Sequence, residues 1–220
     1  MKRAGARAIL VASSVLLVVS TVALVVLLIV TRASFAYYCD WSSPCGGVIV
    51  TSVALAAPLL GVGVAAVLLS TALRRLTPFT SRLDLLGFVL GLLVLVTGVA
   101  HFATTLVVVT TNYGTAQPPS GALSLNGLYG AASTIEIALI AAWSAVATVQ
   151  LARLRAPRVA ILMGGLVALL ACVLASPLGT NALVGGALLV VITVWAICLM
   201  ATAGHLPGIS YLHRPPTKTT

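Results

Sequence analysis

Long apolar runs alternate along this chain with short breaks of polar and turn-forming residues. Six runs, at approximately 8–30, 47–73, 85–110, 128–151, 159–176 and 182–203, reach the length of a membrane crossing. Roughly 30 Å of hydrocarbon calls for about 20 helical residues at about 1.5 Å each. The breaks carry turn chemistry: "SSPCGG", "TPFTSR", "GTAQPPSG", "RAPR" and "SPLGTN". The pattern predicts an all-α, polytopic six-transmembrane-helix bundle over 1–204, followed by a flexible cytoplasmic tail over 205–220.

Composition removes the soluble alternative. The chain is 60% hydrophobic and 7% charged, with a mean hydropathy of +1.18, too few charges to cover a water-exposed surface. The net charge of +9 could suggest nucleic acid, but the basic residues sit in small groups at the ends of apolar runs and not in a stripe. They orient the helices, and no nucleic-acid partner is expected. The expected partners are the bilayer, with a homo-oligomer or the subunits of a membrane complex.

With the N-terminus placed inside, Lys2, Arg3, Arg7, Arg74, Arg75, Arg82, Arg153, Arg155, Arg158, Arg214 and Lys218 all fall on the inner side and Arg32 alone on the outer. This asymmetry predicts both termini in the cytoplasm of a cell whose plasma membrane holds the protein. Phe35, Tyr37, Tyr38, Trp41, Tyr113 and Tyr129 then form an outer aromatic belt. The start, "MKRAGAR" before an apolar run and "TRASFA" after it, resembles a secretory signal cleaved after Ala36. The run is longer than a signal's usual 7–15 residues and Arg32 sits badly for cleavage, so a retained first helix is expected. No internal repeat is visible, although three helices followed by three is a transporter arrangement.

The stretch "STIEIALIAAW" holds Glu136, one of three acidic residues. Counted from the outer ends of their runs, Glu136 and His101 lie about 13 Å deep, and Pro58 lies close to that level. An unpaired charge there costs roughly 3 kcal/mol, so a His101–Glu136 bond is expected to offset it. Thr97, Thr104 and Thr105 share a helical face with His101, and Ser133 precedes Glu136 by one turn. Pro58 frees the Ala54 carbonyl from its helical donor. This layer reads either as a pin locking helices together, with threonines bonded to their own backbone, or as a proton relay or substrate pocket.

Other residues refine the picture. Haem ligation needs two histidines at one depth, and His101, His205 and His213 lie at three different levels; no cofactor and no metal are expected. Cys39 and Cys45, in "CDWSSPC", suit a disulfide closing a small outer loop. Cys172 and Cys198 lie at unlike depths and read as filling residues, which leaves no thiol-redox pair. "GFVLG" makes Gly87 and Gly91 a helix-contact motif. Asp84 reads as a helix cap, and Trp143 and Trp195 as packing residues. No phosphate loop, nucleophile elbow or H-E-x-x-H occurs, so enzyme activity is the least favoured class. The expectation is a structural or accessory subunit of a membrane complex. The alternative is a small transporter or channel that moves protons or small solutes through the His101/Glu136 layer.

Overall fold

The computed structural model describes residues 2–35, 46–77, 81–113, 122–176 and 182–205. Among these residues there is no strand. They form six helices: α1 Lys2–Phe35, α2 Gly46–Leu76, α3 Arg82–Tyr113, α4 Ala122–Arg153, α5 Arg158–Ala175 and α6 Ala182–His205. All six are long and apolar enough to cross a membrane. The protein is an all-helical, multi-pass integral membrane protein.

The helices overrun the apolar runs at most ends. α1 to α4 have 34, 31, 32 and 32 residues, whereas α5 has 18 and α6 has 24. An apolar run marks only the part suited to hydrocarbon. The hydrogen-bond ladder continues into polar residues until a proline or turn residue stops it. α2 even contains Pro58.

Each helix packs on its predecessor and successor, α6 returns to α1, and α2 also touches α4 across the resulting ring. α2 is accordingly the most enclosed: half of its spanning window is buried, against 22% for α5. Its inner face, Val62, Ala65, Ala66, Leu69, Ala72 and Leu73, repeats at helical spacing and alternates small with large side chains. Lipid tails are as apolar as leucine, so close backbone approach and polar bonds, not apolar burial, decide helix association here. A Cβ on Gly63 would lie 2.8 Å from the Leu95 Cα of α3, and only glycine allows that approach.

Trp143 of α4 and Trp195 of α6 fill the ring's interior edge to face, with ring centroids 5.8 Å apart and planes at 65°. Outward-facing side chains such as Ile29, Val96, Leu162 and Val190 are exposed, as suits a surface solvated by lipid.

The α4–α5 turn is built without glycine. Ala156 N donates to Leu151 O and Arg155 N to Ala152 O, both at 3.0 Å, the hydrogen-bond pair of a Schellman motif. The residue that must be left-handed is Arg155, at φ 55°.

Candidate functional site

His101 of α3 and Glu136 of α4 meet, with Nδ1 and Oε2 2.5 Å apart. Both residues are buried, Glu136 to 2% exposure. Written with Nδ1–H as donor, Oε2 accepts. Depth explains the meeting. From His101 back to Arg82, from Glu136 forward to Arg153, and from Pro58 forward to Arg75, the helices each rise about 26–28 Å. All three residues therefore lie at one level, in the half of the bundle away from Arg75, Arg82 and Arg153. α5, counted from Arg158, rises about 26 Å and so ends near this level.

The remaining members of the predicted layer divide. Pro58 is buried on α2. Thr105 Oγ1 donates to the His101 carbonyl at 2.8 Å, and Thr104 Oγ1 donates to the same carbonyl at 3.0 Å. Thr97 Oγ1 donates to Leu93 O at 2.8 Å and to Val94 O at 3.1 Å. All three hydroxyls thus bond to their own helix, one turn back. Ser133 is half-buried.

Gly98, one turn before His101, was not singled out from the sequence. A Cβ there would lie 3.3 Å from Glu136 Oε1 and 3.6 Å from the Leu59 carbonyl oxygen of α2. This glycine opens the space into which Glu136 extends. Its position, i−3 from His101 on a face that also carries threonines, was the available signal. Glu136 Oε1 itself is buried with no hydrogen-bond partner.

A second polar cluster, also missed in part, closes the arginine end. Ser81 N and Ser81 Oγ donate to Asp84 Oδ2 at 2.9 and 3.0 Å, while Asp84 N donates back to Ser81 Oγ at 3.3 Å. This is a capping box using aspartate. Thr77 Oγ1 adds a bond to Oδ2 at 3.3 Å, and Gln150 Nε2 of α4 reaches Asp84 Oδ1 at 3.1 Å. Gln150, a buried amide near the end of an apolar run, was the overlooked clue.

Gly87 and Gly91 serve different neighbours. A Cβ on Gly91 would meet Ala66 O and Ser70 Oγ of α2, both at 3.0 Å, whereas one on Gly87 would meet the Gln150 side chain of α4, also at 3.0 Å. Cys39 and Cys45 lie outside the described residues, as do residues 206–220 of the expected tail, whereas His205 is the last residue of α6. Cys172 and Cys198 are free thiols. Among the described residues no three His, Cys, Asp or Glu side chains gather as metal ligands would.

Comparison with protein-family models, with curated proteins and with solved structures gave no match for this chain.

Proposed function

We propose that this protein is a non-catalytic structural or accessory subunit of a membrane complex, working through helix contacts, with His101 and Glu136 acting as a pin between α3 and α4. One observation carries the reading: the two ionisable groups of the layer are spent on each other. The layer's threonine hydroxyls, bonded to their own backbone, add to it. Polar groups used in this way hold helices and do not line a path. Gly165, Gly186 and Gly204, around which a Cβ would meet nothing within 4 Å, leave outward faces of α5 and α6 smooth enough for another helix.

In this reading the plasma membrane holds the chain with its arginine end in the cytoplasm, the first helix is retained, and Cys39 and Cys45 pair in the outer loop. Affinity purification from native membranes in mild detergent tests it. A stoichiometric partner, lost when Gly165 or Gly186 is changed to Leu while the melting temperature holds, supports the reading. Purification of a lone chain whose variants behave alike contradicts it. Labelling of a cysteine introduced in the 114–121 segment tests orientation: reaction from inside the cell overturns it.

The alternative, movement of protons or small solutes through the same layer, is favoured by the unpartnered Glu136 Oε1. It requires flux in vesicles that disappears in Glu136→Gln with the fold intact.

A further inference from the structure

The Asp84 carboxylate gathers three helix ends. Thr77 just past α2, Ser81 just before α3 and Gln150 near the end of α4 all bond to it, at 3.3, 2.9 and 3.1 Å. Arg153 Nη1, at the last residue of α4, donates to Ser81 Oγ at 3.5 Å, and α5 begins at Arg158 after one short turn. The arginines of these ends therefore share one end of the bundle: Arg74 and Arg75 on α2, Arg82 on α3, Arg153 on α4, Arg155 in the turn and Arg158 on α5. All six are exposed.

The chain has three acidic residues with which to balance them. Asp84 is buried, both of its oxygens are bonded, and it offsets one of the six charges. Glu136 lies about 26 Å farther along α4 from Arg153 and is bonded to His101. Asp40 lies outside the described residues, in the sequence between α1 and α2. Among the described residues, none of the six guanidinium groups meets a carboxylate. Depth indicates what supplies the missing negative charge. Each of the six lies within two residues of the end of a spanning segment, where lipid headgroups are. On α3, α4 and α5 the residue one turn deeper on the same face is apolar and exposed: Leu86 below Arg82, Val149 below Arg153 and Leu162 below Arg158. A cation at headgroup depth above exposed apolar surface matches a phosphate joined to acyl chains. A nucleic acid or an acidic protein would have to displace the headgroups already beside these arginines.

We propose that this arginine surface binds anionic phospholipids, its guanidinium groups holding the headgroup phosphates and the apolar faces below them the acyl chains. Clusters of basic residues beside membrane spans attract anionic lipid, and the guanidinium fork can bond a phosphate through two N–H groups at once. The surface is separate from the His101–Glu136 level. It depends neither on a partner subunit nor on which side of a cell membrane this end faces.

The experiment is electron spin resonance of the full chain in phosphatidylcholine vesicles that carry a trace of spin-labelled phosphatidylglycerol or of spin-labelled phosphatidylcholine. It reads the fraction of each labelled lipid immobilised at the protein. Phosphatidylglycerol is expected to be enriched several-fold over phosphatidylcholine, with the preference shrinking as sodium chloride is raised. A variant with all six arginines changed to glutamine should treat the two lipids alike, and one with all six changed to lysine should keep most of the preference. Arg155→Gln with Arg158→Gln, two changes at exposed positions, should lower the preference while the melting temperature holds. The proposal is overturned if the wild type immobilises both lipids equally, or if the glutamine variants keep the wild-type preference. It is also overturned if millimolar sodium phosphate at constant ionic strength abolishes the preference, since the guest is then a free anion.

Discussion

Trp143 of α4 donates its indole N–H to Ser70 Oγ of α2 at 2.9 Å, and the serine passes the bond on to the Gly87 carbonyl of α3 at 3.0 Å. One hydroxyl ties three helices together where α2 and α4 touch across the ring. Ser70→Ala removes both bonds and strands a buried indole donor, so a loss of about 1–2 kcal/mol is expected. Equilibrium unfolding in mixed detergent micelles measures it, and an unchanged midpoint would mean that the indole finds another acceptor.

Two glycine substitutions should move stability in opposite directions. Gly63→Ala drives a methyl toward the Leu95 backbone, 2.8 Å from its Cα; backbone cannot swing aside, and about 1–3 kcal/mol is lost. Gly165→Ala meets nothing and replaces a poor helix former, so the purified chain gains up to about 1 kcal/mol. Melting temperatures of the pair in one detergent check the contrast.

Arg155 holds a left-handed conformation in the α4–α5 turn without glycine's freedom. Arg155→Gly should raise stability by about 1 kcal/mol. A lower melting temperature would show instead that the arginine side chain matters more than its strain.

At the arginine end, Ser81→Ala removes one half of the capping box and should cost about 1 kcal/mol. Asp84→Ala should cost more, because it also takes the acceptor from Gln150 and Thr77. Equal effects would indicate that Gln150 contributes nothing to holding α3 against α4.

Much of this architecture was legible because a bilayer leaves few choices: long apolar runs must become helices. The meeting of His101 with Glu136 was legible for a related reason, since two ionisable residues at one depth on consecutive antiparallel helices have little else to bond. Helix ends were not, because helices α1 to α4 continue past the residues that hydrocarbon requires. Gly98 and Ser70 escaped notice because their roles depend on which face meets which neighbour, and no period in an all-apolar helix reveals that. Gly87 and Gly91 read as one seam, yet the ring places α2 beside one and α4 beside the other.

The most direct test of the pin is a double-mutant cycle on His101→Leu and Glu136→Leu, read as unfolding free energy in mixed micelles. Removing one partner takes from the other, buried, the bond that holds α3 to α4, so each single change should cost about 3–5 kcal/mol. Removing both leaves an apolar contact of similar volume, and the double variant should recover most of that loss. Single variants as stable as the wild type, or costs that simply add, would contradict the claim that these two residues hold α3 to α4.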